Sequence, residues 1–144
     1  MQRILFLGDM NFMTRTFQRV RAMCDLGYDV FPLSYVPVGY YPGITTISYA
    51  MIPQVAIKIF HKSGYPLDLF SINQNLIKMV HALDIDLIWC EKPLMLRAST
   101  LKYIKKTYKS IKIVFYSEDD MYARHNWSHY FLKSLPYYDI VYTN

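Results

Sequence analysis

The hydrophobic pattern of this 144-residue chain changes repeatedly between a strand period and a helix period, with turn residues at most of the switches. Arg3 to Leu7 (RILFL) is a short apolar run that meets Gly8 and Asp9. Met13, Phe17, Val20 and Cys24 then recur at helical spacing, with Arg15, Arg19 and Arg21 on other faces. Thr14 suits the helix start and Gly27 its end. YDVFPL reads as a second strand. From Asp68, the residues Leu69, Ile72, Leu76, Met79, Val80 and Leu83 mark one face of a long helix. DLIWCE follows as a buried-type strand, then a helix capped by Ser99 or Thr100 with Leu101, Ile104 and Tyr108 inward. KIVFYS, a helix around Ser128 to Leu135, and the strand DIVYT complete the order.

Residues Ser34 to Gln54 stand apart, with three prolines, two glycines, four tyrosines and no helical period. They predict a long functional loop or a short hairpin. VAIKIFHK after them fits a helix or a strand.

Short, nearly all-apolar strands separated by helices are what a parallel sheet covered on both faces requires. With right-handed crossovers this predicts a Rossmann-like, doubly wound α/β domain of about five strands, a single domain over 1–144. The chain stops at Asn144 directly after a strand, so the expectation is part of a larger protein. No apolar run approaches the roughly 18–20 residues of a membrane span, and the start has the character of a strand and not of a signal peptide. The two cysteines, Cys24 and Cys90, lie in apolar patterns and read as reduced, buried thiols of a cytoplasmic protein. A formal net charge of +5 tolerates anionic partners but is no nucleic-acid signature.

In such a sheet, ligands bind beyond the carboxyl ends of the strands. That rule gathers Asp9, Asn11, Thr14 and Arg15 with Glu91, Lys92, Ser117, Glu118, Asp119, Asp120, Thr143 and Asn144 at one rim. The first turn, LGDMNFMTRT, lacks both GxGxxG and GxxxxGK[ST], which argues against a dinucleotide or P-loop site. The free N–H groups behind it, helped by Arg15, can still meet a phosphate or carboxylate, or Thr14 simply caps the helix. The Glu118-Asp119-Asp120 triplet suits a cation, a general base or sugar hydroxyls, or else one acid caps a helix while the others are solvated. A receiver-type phosphorylation site would want acids after the first strand, a phosphorylatable Asp after the third and a Lys near the last; only Asp9 fits. His125 and His129 lie four apart, yet no third ligand specifies zinc. More simply, His125, Asn126 and Ser128 form a polar helix start facing the rim. Lys102, Lys105, Lys106 and Lys109 make a solvated helix face, with at most weak contact to an anionic membrane surface. His61 and His81 read as ordinary, Trp89 as core, and Tyr40 and Tyr41 as candidates for stacking on a sugar ring.

Taken together, ILFLGD, GYPLDLFSINQNLIKMV, DIDLIWCEKP, STLKYIKK, IVFYSEDDMYARHNWSHYF and LPYYDIVYTN make an ordered series. It resembles the amino-terminal domain of CgeB-like glycosyltransferases, the spore-maturation type with the two-domain GT-B fold. The resemblance implies an acceptor-side domain, inactive alone, that helps move a sugar from a nucleotide-sugar donor, with no tightly bound cofactor and no metal. It implies as partners a second GT-B domain beyond Asn144 and a sugar acceptor, with no nucleic acid and with homo-oligomers open. By position, Asp9 and Asn11 match that family's first loop and Glu91 and Lys92 its third-strand end. Asp119, Asp120, His125, Asn126 and Ser128 match its DD…HNxS stretch. Asp119, Asp120 and His125 are the candidate catalytic residues; Asp9, Asn11, Arg15, Glu91, Lys92, Asn126 and Ser128 are candidates for substrate binding. The alternatives are a non-catalytic Rossmann-like ligand-binding or regulatory module and a metal-dependent hydrolase using the acidic triplet and the two histidines.

Overall fold

The computed structural model describes residues 1–36 and 54–144. Five strands form one parallel sheet: β1 (Arg3–Gly8), β2 (Asp29–Ser34), β3 (Leu87–Glu91), β4 (Lys112–Tyr116) and β5 (Ile140–Tyr142), in the order β2-β1-β3-β4-β5. The helices are α1 (Arg15–Asp25), α2 (Gln54–Ser63), α3 (Ile72–Ala82), α4 (Ala98–Thr107) and α5 (His129–Ser134), with a 3₁₀ turn at Arg124–Asn126. The strand order reverses between β1 and β3, which opens a crevice above their carboxyl ends. The α/β, doubly wound expectation is met.

The pleat divides the strands between two faces. Leu5 and Leu7 of β1, Ile88 and Cys90 of β3, and Ile113 and Phe115 of β4 are buried together with Ile72, Leu76 and Val80 of α3, Leu101 and Ile104 of α4, and Phe131 of α5. Each such aliphatic or aromatic side chain contributes about 1.5–3 kcal/mol by leaving water. The opposite face carries Phe6, Trp89, Val114 and Tyr116 and is met by α1. Phe6 stacks on Trp89 with centroids 6.0 Å apart, and Tyr116 follows at 5.6 Å. Farther along this face, Ile140 and Tyr142 of β5 are 45% and 51% exposed.

Local signals explain the helix ends. Thr14 Oγ1 accepts from Phe17 N at 3.1 Å, as the sequence suggests, and donates to the Asp9 and Asn11 carbonyls. The cap of α3 is not its own preceding residue: Asp68 accepts from the backbone N–H groups of Ile72 and Asn73 at 2.7 and 3.0 Å. Neither Ser99 nor Thr100 caps α4, which begins at Ala98. Instead Asn73 Oδ1, from α3, accepts from Arg97 N and Thr100 Oγ1 at 2.9 and 2.8 Å. VAIKIFHK is helical, within α2. Most of the Ser34–Gln54 segment, with Tyr40 and Tyr41, lies outside the described residues.

Two expectations about α1 need correction. Met13 and Cys24 are exposed, so Cys24 is not a buried thiol, although Cys90 is. The inward stripe runs through Thr16, Arg19, Val20 and Met23. It is offset from the apolar one because Arg19 has a carboxylate to meet on the sheet. Trp89 is only half-buried, though its indole nitrogen is enclosed without a hydrogen-bond partner among the described residues.

Candidate functional site

The rim above β1, β3 and β4 is organised around Arg19. Its approach depends on Gly8, the last residue of β1, where a Cβ would fall 2.4 Å from Thr16 Cγ2. With no Cβ there, α1 lies close enough for Thr16 Oγ1 to donate to Glu91 Oε1 at 2.8 Å. Arg19 Nη1 donates to the same oxygen at 2.5 Å, and Arg19 Nη2 pairs with Glu118 beyond β4. The guanidinium lies over the Tyr116 ring at 4.6 Å. Arg15 Nη1 adds a second contact to Glu118 at 2.6 Å. One arginine thus bridges the ends of β3 and β4, a fork geometry that lysine cannot supply.

The electrostatics follow from this arrangement. Burial works against charge on Arg19, but Glu91, Tyr116 and Glu118 together outweigh it, and the guanidinium pKa is raised. The hydrogen bond from Arg15, with Arg19 beside it, holds the Glu118 carboxyl below its ordinary range. Tyr35, just past β2, has its hydroxyl pKa raised by burial first and then by Asp9, Glu91 and Asp119, which puts all three acids around one crevice. Glu91 Oε2 is enclosed and has no hydrogen-bond partner among the described residues.

Lys92 occupies the left-handed region at φ 47, a backbone strain that sits at the crevice mouth. Its ammonium pairs with Asp119 and donates to Asn126 Oδ1 at 3.2 Å. Asn126 Nδ2 in turn donates to the Asp120 carbonyl at 2.8 Å. Asp9 shapes the first turn by accepting from the backbone and side-chain N–H groups of Asn11 at 3.0 and 2.7 Å. Beyond β5, Thr143 Oγ1 donates to the Asp119 carbonyl and Asn144 Nδ2 to that of Glu118, at 3.1 and 2.7 Å.

Asp9, Asn11, Arg15, Glu91, Lys92, Asp119 and Asn126 therefore belong to one connected rim. Asp120 joins it only through its carbonyl, while its carboxylate accepts from Tyr122 N at 2.8 Å. His125 stands on the exposed 3₁₀ turn and lines a different cavity. Ser128 is buried as the cap of α5, accepting from Phe131 N at 3.0 Å and donating to the Leu94 carbonyl at 2.6 Å. His129 stacks on Tyr65. Among the described residues, no three His, Cys, Asp or Glu side chains come together as a metal group, so the acidic triplet and the two histidines do not assemble one. Sequence reasoning missed Arg19, Thr16 and Tyr35. The trace of the first two was a polar pair three apart on a helix entering a crevice of acids.

No protein family model and no curated protein sequence matches the chain. Solved structures do. The response regulator TrrA from Thermotoga maritima, in complex with Mg²⁺-BeF, is 15% identical with a TM-score of 0.50, over all of this chain and 87% of that one. The complex of histidine kinase ThkA with TrrA matches at 13% identity and a TM-score of 0.52, over all of this chain and 86% of that one. A signal receiver domain of an HD domain-containing protein from Pseudomonas fluorescens Pf-5 matches at 11% and 0.50, over all of this chain and 83% of that one. These identities show a shared fold: the receiver-type, flavodoxin-like arrangement, with its strand order 2-1-3-4-5.

The resemblance to CgeB-like glycosyltransferases is overturned by this result, since the fold-sharing structures are receiver domains and no sequence comparison returns such an enzyme. The glycosyltransferase activity and the acceptor-side role fall with it. So does the nucleotide-sugar donor, since TrrA is in complex with Mg²⁺-BeF. The expected partners, a second GT-B domain and a sugar acceptor with no nucleic acid, are corrected as a set. In the ThkA–TrrA complex the partner of TrrA is a histidine kinase. Among the described residues, no helix is long and apolar enough to cross a membrane.

At the rim of this chain Glu91 and Glu118 each hold an arginine, Asp119 pairs with Lys92 and Asp9 shapes its turn. A Mg²⁺ of the kind TrrA holds would have to compete with these partners for carboxylate oxygens, Glu91 Oε2 being the enclosed one without a partner among the described residues.

Proposed function

We propose that this chain is a non-catalytic regulatory or ligand-binding module on a receiver-type fold, which stores its state in a clasp of ion pairs instead of a phosphoryl group. The observation that carries this reading is Glu91. It stands at the end of β3, where a receiver would want a phosphorylatable Asp, and it is already bound by Arg19 and Thr16. The two residues directly after β5 are Thr143 and Asn144. The rim can therefore change by opening or closing the Arg19 bridge between β3 and β4. A protein partner, of which the ThkA–TrrA complex is an example on this fold, is the expected reader of that change. A cytoplasmic location fits the two unpaired cysteines.

Incubation with acetyl phosphate and Mg²⁺, followed by intact-mass measurement, tests the reading. The expected spectrum shows no added phosphate, and a Mg²⁺-BeF titration leaves the tryptophan fluorescence without a saturable change. Stoichiometric phosphorylation or saturable Mg²⁺-BeF binding would overturn it. In the same protein, Glu91→Gln is expected to move amide resonances in both α1 and the Ser117–Asp119 turn, because Arg19 joins them. Shifts confined to β3 would count against the clasp.

A further inference from the structure

A second cavity, of about 420 Å³, lies away from the Arg19 clasp between the end of α2 and the 3₁₀ turn. Its described lining is His61, Lys62, Arg124, His125 and Trp127. Two permanent cations and two imidazoles meet there, and no acidic side chain lines it among the described residues. Among the described residues, the ion pairs involve neither Lys62 nor Arg124. The negative end of α2 accounts for Lys62 on its last turn, but not for Arg124 across the gap.

The walls are locked together. Gly64, at φ +86, turns the chain after α2, and its carbonyl accepts from His129 N at 2.8 Å. A Cβ on Gly64 would fall 2.8 Å from His129 Cδ2 and 3.0 Å from Arg124 Nη2, so only glycine lets these segments approach so closely. Tyr65 stacks on His129 with centroids 4.6 Å apart. Arg124 lies on the Trp127 ring at 4.3 Å. Stacking covers one guanidinium face and leaves its N–H edges to meet an oxyanion in the fork geometry that suits phosphate.

We propose that this cavity is a binding site for a small soluble phosphate monoester. Arg124 and Lys62 hold the phosphate oxygens, His61 and His125 add N–H donors, and Trp127 fixes the arginine. The volume falls within the roughly 300–1,000 Å³ of small-molecule sites and exceeds what a bare phosphate fills, so the organic part of the ester has room. The proposal stands independently of the clasp at the rim. The two touch through Asn126, which follows His125 and receives the hydrogen bond from Lys92.

Isothermal titration of the full chain with ribose 5-phosphate, inorganic phosphate and phosphatidic-acid vesicles tests it. Ribose 5-phosphate is expected to bind saturably and more tightly than inorganic phosphate. Arg124→Gln and Lys62→Gln should each weaken it about tenfold, the loss of one charge-assisted contact, while Lys102→Gln on α4 leaves it unchanged. Lys62 is exposed and its replacement does not threaten folding, so the test survives an unstable Arg124 variant. Absence of saturable binding of the ester would overturn the proposal. So would a loss below twofold in Lys62→Gln, an equal loss in Lys102→Gln, or binding to the vesicles alone.

Discussion

The two faces of the sheet do different jobs. Against α3, α4 and α5 the strands present Leu5, Leu7, Ile88, Cys90, Ile113 and Phe115, and the helices return side chains of the same kind. Against α1 they present Glu91 and Tyr116 at their carboxyl ends, and the helix returns Thr16 and Arg19. Apolar packing is non-directional, so the first face tolerates exchange of one hydrophobe for another of similar volume. The second depends on direction: a fork of N–H groups, two carboxylates and a glycine that admits the helix. Stability is concentrated on the first face, and the ion-pair clasp of the proposed function on the second.

The largest effect belongs to the apolar face. Phe115→Ala removes a fully buried ring that packs on Phe131 at 4.5 Å, and is expected to lower unfolding free energy by about 3–5 kcal/mol in a urea titration. If it costs under about 1 kcal/mol, the division between the faces is wrong. Gly8→Ala comes next. The clash with Thr16 must push α1 away, at about 1–3 kcal/mol, and Gly8→Ala/Thr16→Ser should recover part of that loss because the offending methyl is gone. Arg19→Met strands Glu91 with Thr16 alone. Because the pair is partly exposed, about 2 kcal/mol is expected, less than for a fully buried pair, and Glu91→Gln in the same chain should restore some of it.

Acid sharpens the comparison further. Glu118 is held below its ordinary range by Arg15 and Arg19. In Asp139, burial acts to raise the pKa but is outweighed by Lys105, the Ile113 N–H and Lys112. A carboxyl whose folded pKa is depressed stabilises fully above its unfolded value, roughly pH 4, and loses that contribution as pH falls through the folded value. The melting temperature is therefore expected to drop below about pH 4, and to drop less in Arg15→Met/Arg19→Met. An identical acid limb in that variant would show that the clasp carries no such stability. The smallest effect is expected on the solvated face of α4, where Lys102→Gln should change stability by under about 0.5 kcal/mol.

Much of this was legible beforehand. Alternating apolar runs and helical spacings are local, so the order of strands and helices, the Thr14 cap and the buried stripe of α3 could be read directly. The gathering of Asp9, Glu91 and Asp119 at one rim follows from parallel strands alone. Caps supplied from a distance could not be read: Asn73 serves α4 across 24 residues. Nor could the helical face that carries Arg19, because an apolar pattern pointed to Met13 and Cys24. Family resemblance built from short, separately unspecific segments misled for a related reason. Hydrophobic strand ends followed by acids recur wherever a parallel sheet has a polar crevice, whatever chemistry it serves.

The sequence by itself determined a parallel α/β sheet with a polar rim, because hydrophobic period and turn residues act over a few neighbours. Only the tertiary structure decided that Arg19 bridges Glu91 and Glu118, and that Lys62 and Arg124 line one cavity. Those pairings join residues 72, 99 and 62 positions apart, and such distances close only when the whole core has packed.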